Sequence, residues 1–133
     1  MTAEADACKA KGNASLTSKD YKSAAQHYTA ALKVSPRGPQ SHIYYSNRAA
    51  AYCYLGRYDK AEMDAERCIG LNPGYAKGWG RLGLCRLELE DYDGAKEAYE
   101  RALKEDKGMK GVKEQIKKIE KVRGGGEKAA VGL

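Results

Sequence analysis

The segment Asp91-Tyr92-Asp93-Gly94-Ala95 has two further versions earlier in the chain, Asp20-Tyr21-Lys22-Ser23-Ala24 and Arg57-Tyr58-Asp59-Lys60-Ala61. The final alanines of the three segments lie 37 and then 34 residues apart. At constant offsets beyond the segments come Tyr28, Ala31 and Pro36, then Ala65, Cys68 and Pro73, then Tyr99, Ala102 and Lys107. Such self-similarity is typical of proteins in which each repeat is one supersecondary unit. The sequence therefore predicts three stacked copies of one unit.

A second stretch with helical periodicity precedes each of these segments, and Gly12, Ala49 and Gly83 occupy equivalent places in the three stretches. A period of 34 residues with Gly, Tyr, Ala and Pro at these offsets resembles the tetratricopeptide repeat (TPR). The resemblance covers about residues 5–107. It implies an all-α fold, a right-handed superhelical solenoid of three TPR helix pairs. The three repeats are expected at about residues 5–38, 42–75 and 76–109.

The residue types fit paired helices. Small residues at helical spacing, such as Ala61 and Ala65, let two antiparallel helices approach closely. Tyrosines and Trp79 are large enough to fill the gaps between pairs, so we expect Trp79 to pack in the core. Pro36 and Pro73 are expected to end the second helices of the first two repeats.

A capping helix is predicted after the third repeat, over about residues 109–123. Met109, Val112, Ile116 and Ile119 form one apolar face, and lysines occupy the other faces. A stack of helix pairs leaves its last apolar face exposed, so a helix with one apolar side can cover it. Residues 1–123 are therefore expected to form one domain. The run Gly124-Gly125-Gly126 is expected to end the helix, and residues 124–133 to form a flexible Gly-rich tail.

Composition narrows the class of protein. The 133 residues are 42% hydrophobic and 32% charged, as in a folded domain, and no apolar run is long enough for a membrane-spanning helix. The acidic start lacks a secretory signal, which favours a cytoplasmic protein. The net charge is +6, and residues 107–123 hold much of the excess. We interpret that basic stretch as the solvated face of the cap, and a nucleic-acid partner is not expected.

No constellation in the sequence indicates an enzyme. The two histidines, His27 and His42, lie in no catalytic context, and no phosphate-binding glycine loop occurs. The four cysteines are too widely spaced for a zinc site of the CxxC type. We expect them to be reduced, partly buried residues, and we expect neither a metal nor a cofactor.

Five polar side chains stand out on the first helices of the repeats. Solenoids of this kind line a concave groove with these helices. At about 100° of rotation per residue, the packing positions of each first helix share one face. The five polar side chains lie away from that face, and they are Lys9, Asn13, Asn47, Lys77 and Arg81. The sequence therefore predicts a basic groove with two amide groups.

These five residues resemble, position by position, the dicarboxylate clamp of TPR co-chaperones of the small glutamine-rich and stress-inducible organising types. The resemblance implies binding of the C-terminal Glu-Glu-Val-Asp tail of cytosolic seventy- and ninety-kilodalton heat-shock chaperones. It also implies that Lys9, Asn13 and Asn47 hold the terminal carboxylate. Lys77 would then meet the side chain of the last aspartate, and Arg81 would hold the peptide further along.

The chemistry of these side chains suits such a ligand independently. A terminal aspartate carries two carboxylates, which only accept hydrogen bonds when ionised. Lysine and arginine supply donors with charge, and asparagine donates without adding repulsion. A general TPR scaffold that binds another acidic peptide through the same groove remains the alternative.

An apolar pocket is a further possibility in the groove. Ala50 and Cys53 lie about one and two turns beyond Asn47. They would either line a small apolar pocket for the valine of the tail or pack tightly between helices.

Overall fold

In the computed structural model, the backbone is described for residues 2–132 and the side chains for residues 3–123, and this part of the chain forms seven helices and no strand. The helices are α1 (Thr2–Thr17), α2 (Tyr21–Val34), α3 (Ser41–Tyr54), α4 (Tyr58–Leu71), α5 (Ala76–Glu88), α6 (Tyr92–Glu105) and α7 (Val112–Gly132). The all-α prediction is confirmed. None of these helices is long and apolar enough to cross a bilayer.

The helices stack as three pairs and a cap. Helix α1 packs most extensively on α2, α3 on α4 and α5 on α6. Neighbouring pairs join through α2 against α3 and α4 against α5, and α7 packs on α6. The first helices of the pairs also touch each other, α1 against α3 and α3 against α5. These first helices therefore share one side of the solenoid.

The turn inside each pair has the same left-handed backbone. Lys19, Gly56 and Glu90 have φ values of 64°, 75° and 62°. In the first and third turns an aspartate then caps the second helix, since Asp20 Oδ1 accepts from the Ser23 N–H at 3.2 Å and Asp91 Oδ1 from the Gly94 N–H at 3.0 Å. Such caps satisfy backbone donors that have no partner within the helix.

In the first and third helix pairs, close packing of the two helices depends on a glycine that faces a tyrosine ring. A Cβ on Gly12 would lie 2.6 Å from the Tyr28 ring, and one on Gly83 would lie 2.8 Å from the Tyr99 ring. Both tyrosines are buried. Alanines, among them Ala49, provide much of the remaining core, so the helices approach closely.

Trp79 packs beside the core as expected. Its ring lies half-buried against the cluster that includes Leu82. Its indole N–H donates to the Pro73 carbonyl at 2.7 Å, and the Arg101 guanidinium lies 4.9 Å from the ring centroid. These contacts join the start of α5 to α6.

The cap differs in its bounds from the sequence prediction. Val112 and Ile119 are buried against α6, with Met109 and Ile116 packed beside them, so the predicted apolar face is correct. The helix begins at Val112 rather than near residue 109, because Gly111 has a φ of 81° and interrupts helical backbone. The expected helix end at residue 123 is wrong. Helix α7 runs on to Gly132, because backbone hydrogen bonds need no side chain and glycine only weakens them. Flexibility of residues 124–133 stays a prediction.

Candidate peptide-binding groove

The five predicted site residues lie on the three first helices. Helix α1 carries Lys9 and Asn13, α3 carries Asn47, and α5 carries Lys77 and Arg81. The packing of α1 on α3 and of α3 on α5 places these helices side by side. Residues that are far apart in sequence therefore belong to one surface.

The two asparagines are in direct contact. The amide Nδ2 of Asn47 donates to Oδ1 of Asn13 at 3.3 Å. The same oxygen accepts a hydrogen bond from the Tyr28 hydroxyl at 2.5 Å. Burial raises the pKa of Tyr28 to about 12, against the opposing effect of the Arg81 charge, so this hydroxyl is protonated and donates at neutral pH. With Oδ1 of Asn13 occupied by two donors, its Nδ2 is the group left for a ligand.

Arg81 lies deep in the groove. Its Nε is buried and has no hydrogen-bond partner among the described residues. A buried donor without an acceptor costs free energy, of the order of 1–3 kcal/mol, unless a ligand or water satisfies it. Burial raises the pKa of Tyr75, and the positive charge of Arg81 opposes that rise. The hydrogen bond with Cys85 lowers the pKa of Cys53, and the charge of Arg81 acts in the same direction.

The two lysines offer unpaired charges. Lys9 is half-buried and Lys77 is exposed. Within residues 3–123 neither ammonium group lies within ion-pair distance of a carboxylate. Arg48 behaves differently, because its guanidinium makes a bidentate pair with the buried Asp64, at 2.7 and 2.8 Å. The sequence pattern alone did not separate the paired basic residues from the unpaired ones.

Ala50 and Cys53 line a cavity of about 250 Å³ beside Arg81. The cavity is lined further by Tyr54, Tyr58, Leu84 and Glu88. The sequence pattern did not assign these four residues to the site. Leu84 could have been found, because it follows Arg81 by one helical turn on the same helix. Tyr54 and Tyr58 could not, because their position depends on how the turn between α3 and α4 folds back.

A larger cavity, of about 510 Å³, lies away from the groove. Residues of α2, such as Lys22 and Lys33, line it together with Tyr52, Leu55 and Arg57 from the end of α3 and the following turn. None of the five predicted site residues lies in it. The Arg81 nitrogen, which has no partner in the described part of the chain, and the paired asparagines make the groove the better candidate, although its cavity is smaller.

Comparison with known proteins agrees with this architecture. Two family models described as tetratricopeptide repeat match residues 9–65 and 76–108. In a solved structure, the Sgt2 TPR domain from Aspergillus fumigatus, the fold is similar with a TM-score of 0.89 and 38% identity, over 96% of this chain and 83% of that one. The chain belongs to the tetratricopeptide repeat family.

Its relatives include co-chaperones of the two types that the sequence resembled. The heat-shock protein cognate co-chaperone sgt12 of Aspergillus fumigatus is 42% identical over 97% of this chain, and heat shock protein STI1 of Saccharomyces cerevisiae is 38% identical over 92%. The chain spans 39% and 20% of the lengths of these two relatives. The first TPR of Spaghetti (RPAP3), solved with the HSP90 peptide SRMEEVD, has a TM-score of 0.88 and 28% identity, covering 93% of this chain and 96% of that one.

Proposed function

We propose that this domain is a co-chaperone module that captures the acidic C-terminal tail of heat-shock chaperones, of the seventy- or ninety-kilodalton class, in the cytoplasm. The tail ends in Glu-Glu-Val-Asp, and capture is non-covalent with no catalytic step. The clamp consists of Lys9, Asn13, Asn47, Lys77 and Arg81. A structure of similar fold with such a peptide bound supports the choice of ligand.

One observation carries the proposal, the shared acceptor at Asn13. Because Tyr28 and Asn47 both donate to its Oδ1, the amide of Asn13 is oriented with Nδ2 as the remaining donor. An oriented amide donor beside cations suits a carboxylate, which only accepts.

The charges of the groove add to this donor. Arg81 contributes a buried Nε that lacks an acceptor, and Lys9 and Lys77 contribute ammonium groups without an intramolecular ion pair in the described chain. A terminal aspartate presents two carboxylates to these donors, and charge-assisted hydrogen bonds are among the stronger ones. In the same groove, the cavity lined by Ala50 and Cys53 is proposed to take the valine side chain of the tail.

Titration calorimetry with an eight-residue peptide ending in Glu-Glu-Val-Asp tests the proposal, at low and moderate salt. We expect a Kd of roughly micromolar, equivalent to about −8 kcal/mol, which weakens with salt. The same peptide with an amidated C-terminus is expected to bind at least about tenfold more weakly, because one carboxylate is lost.

A Lys77→Ala, Arg81→Ala double variant is the matched control, with helicity checked by circular dichroism. If this variant no longer binds the free-acid peptide, the result supports the proposed clamp. If the folded protein bound the acid and the amide equally well, the domain would be a general scaffold for acidic peptides. If it bound neither peptide, the co-chaperone proposal would be wrong.

A further inference from the structure

Two cysteine side chains meet across the first helices of the second and third repeats. Cys53 on α3 and Cys85 on α5 place their Sγ atoms 3.3 Å apart. The contact is closer than ordinary packing of two sulfur atoms and is a thiol–thiol hydrogen bond, so the two groups are already oriented towards each other. A disulfide needs the sulfurs at about 2.05 Å, a movement of little more than 1 Å.

The two thiols have different environments. Cys53 is half-buried and lines the 250 Å³ cavity of the groove, so a small solute can reach it. Cys85 is buried among core residues such as Leu82. The hydrogen bond with Cys85 lowers the pKa of Cys53, and the nearby charge of Arg81 acts in the same direction against burial. That hydrogen bond and burial both raise the pKa of Cys85. Cys53 is therefore the more nucleophilic thiol.

The other two cysteines lack this arrangement. Cys68 on α4 is buried, which raises its pKa to about 12, and its Sγ lies against Gly78. Cys8 lies on α1, in the cluster around Tyr44. Among the described residues neither thiol lies against another cysteine sulfur. Cys8 and Cys68 therefore serve as internal controls for the reactivity of the Cys53–Cys85 pair.

We propose that Cys53 and Cys85 form an oxidation site, at which a hydroperoxide converts the two thiols to a disulfide that links α3 to α5. The Cys53 thiolate attacks a peroxide oxygen, the O–O bond breaks, and with hydrogen peroxide a hydroxide leaves and Cys53 becomes a sulfenic acid. The Cys85 sulfur then attacks the Cys53 sulfur, the S–S bond forms, and the S–O bond breaks with release of water. Two electrons pass from the thiols to the peroxide, which is reduced to two water molecules.

The disulfide acts on the groove, and this consequence rests on the proposed function. Cys53 shares the cavity with Arg81 of α5, so drawing the two sulfurs together brings α3 and α5 closer and narrows the cavity. A ligand side chain that fits the reduced cavity is then overpacked. We expect the oxidised domain to bind the Glu-Glu-Val-Asp peptide about fivefold more weakly.

Peptide mapping after oxidation tests the site directly. The folded protein is treated with hydrogen peroxide, its remaining thiols are alkylated, and it is digested with trypsin. Cleavage after arginine and lysine places the cysteines in separate fragments, residues 1–9, 49–57, 68–77 and 82–86. We expect a linked pair of fragments 49–57 and 82–86, which dithiothreitol separates.

Two variants serve as comparisons. Cys53→Ser, at a half-buried position, is expected to abolish the linked pair, and Cys8→Ser is expected to retain it. Absence of the linked pair in the oxidised folded protein, or Cys53 linked mainly to Cys8 or Cys68, would overturn the proposal. Calorimetry with the peptide before and after oxidation tests the consequence, and unchanged affinity would overturn the gating of the groove. A reduced protein that fails to bind the peptide would contradict the proposed function instead, while the mapping would still decide the oxidation site.

Discussion

The hydroxyl of Tyr28 donates a 2.5 Å hydrogen bond to Oδ1 of Asn13, joining a core residue of α2 to a groove residue of α1. Tyr28 is wholly buried, and its ring lies against Gly12, one residue before Asn13. The packing of the first helix pair therefore fixes the orientation of an amide that belongs to the proposed peptide site. Tyr28 thus packs in the core and also orients a residue of the proposed peptide site.

Tyr28→Phe is expected to weaken binding of the Glu-Glu-Val-Asp peptide about fivefold, because the amide of Asn13 loses the donor that orients it. The ring and its packing against Gly12 remain, so the fold should persist. Tyr99, the equivalent residue of the third repeat, also packs on a glycine, Gly83, and is not one of the five proposed clamp residues, so Tyr99→Phe is the control. Titration calorimetry measures the affinity of each variant for the peptide. Equal affinities would show that the hydroxyl does not position Asn13.

Lys77→Ala is expected to reduce peptide affinity about tenfold and to make it less dependent on salt, because an exposed cation that meets a carboxylate is lost. Lys22→Ala, at an exposed site on α2, removes the same charge outside the groove. Titrations at two ionic strengths compare the variants. A similar loss of affinity in both would indicate that only net charge matters.

Asp64→Ala is expected to lower the free energy of unfolding by about 3–5 kcal/mol, because the largely buried Arg48 guanidinium would lose its carboxylate partner. Glu105→Ala removes one partner of the more exposed Arg101–Glu105 pair and should cost less than about 1 kcal/mol. Urea denaturation measures both values. A cost below about 1 kcal/mol for Asp64→Ala would contradict the structural role of the buried pair.

Gly83→Ala is expected to destabilise the domain by about 2 kcal/mol, because the new Cβ would lie 2.8 Å from the Tyr99 ring. Gly70 on α4 has no atom within 4 Å of such a Cβ, so Gly70→Ala should stabilise the protein by about 0.5 kcal/mol. Thermal denaturation followed by circular dichroism should therefore shift in opposite directions. A stabilising Gly83→Ala would show that the helices of the third pair can separate at no cost.

His42 is expected to make stability depend on pH. Burial lowers the pKa of His42 below 6.5, so the folded state binds this proton less readily than the unfolded state does. The contribution of neutral His42 to the free energy of unfolding is fully present above about pH 6.5. It falls as the pH decreases through that value towards the lower pKa of the folded state. Protonation of His42 would also prevent its Nε2 from accepting the hydrogen bond from Asn72 Nδ2, which lies 3.3 Å away.

Denaturation at pH 7.5 and pH 5.5 measures this dependence. His42→Gln should reduce the loss of stability at the lower pH. If His42→Gln left the difference between the two pH values unchanged, another group would be responsible.

The helix pairs follow from local sequence signals. Three copies of one segment, a capping aspartate in two of the turns, and alanines at helical spacing act within one repeat, so a linear pattern reveals them. The end of α7 was not predicted correctly, because glycines lower helix stability without forbidding helical hydrogen bonds.

The sequence by itself determined the repeat, the helix pairs and which five side chains belong to the candidate site. Helical rotation places Lys9, Asn13, Asn47, Lys77 and Arg81 away from the packing faces, and that depends only on position within a helix. Their proximity, however, depends on the stacking of separate repeats. It was only the tertiary structure that decided that the buried Nε of Arg81 has no hydrogen-bond partner within residues 3–123. It also decided that Tyr28 and Asn47 meet on one oxygen of Asn13 and that Cys53 contacts Cys85. These contacts join residues 15 to 34 positions apart on different helices, and their distances are set by how closely the helices pack.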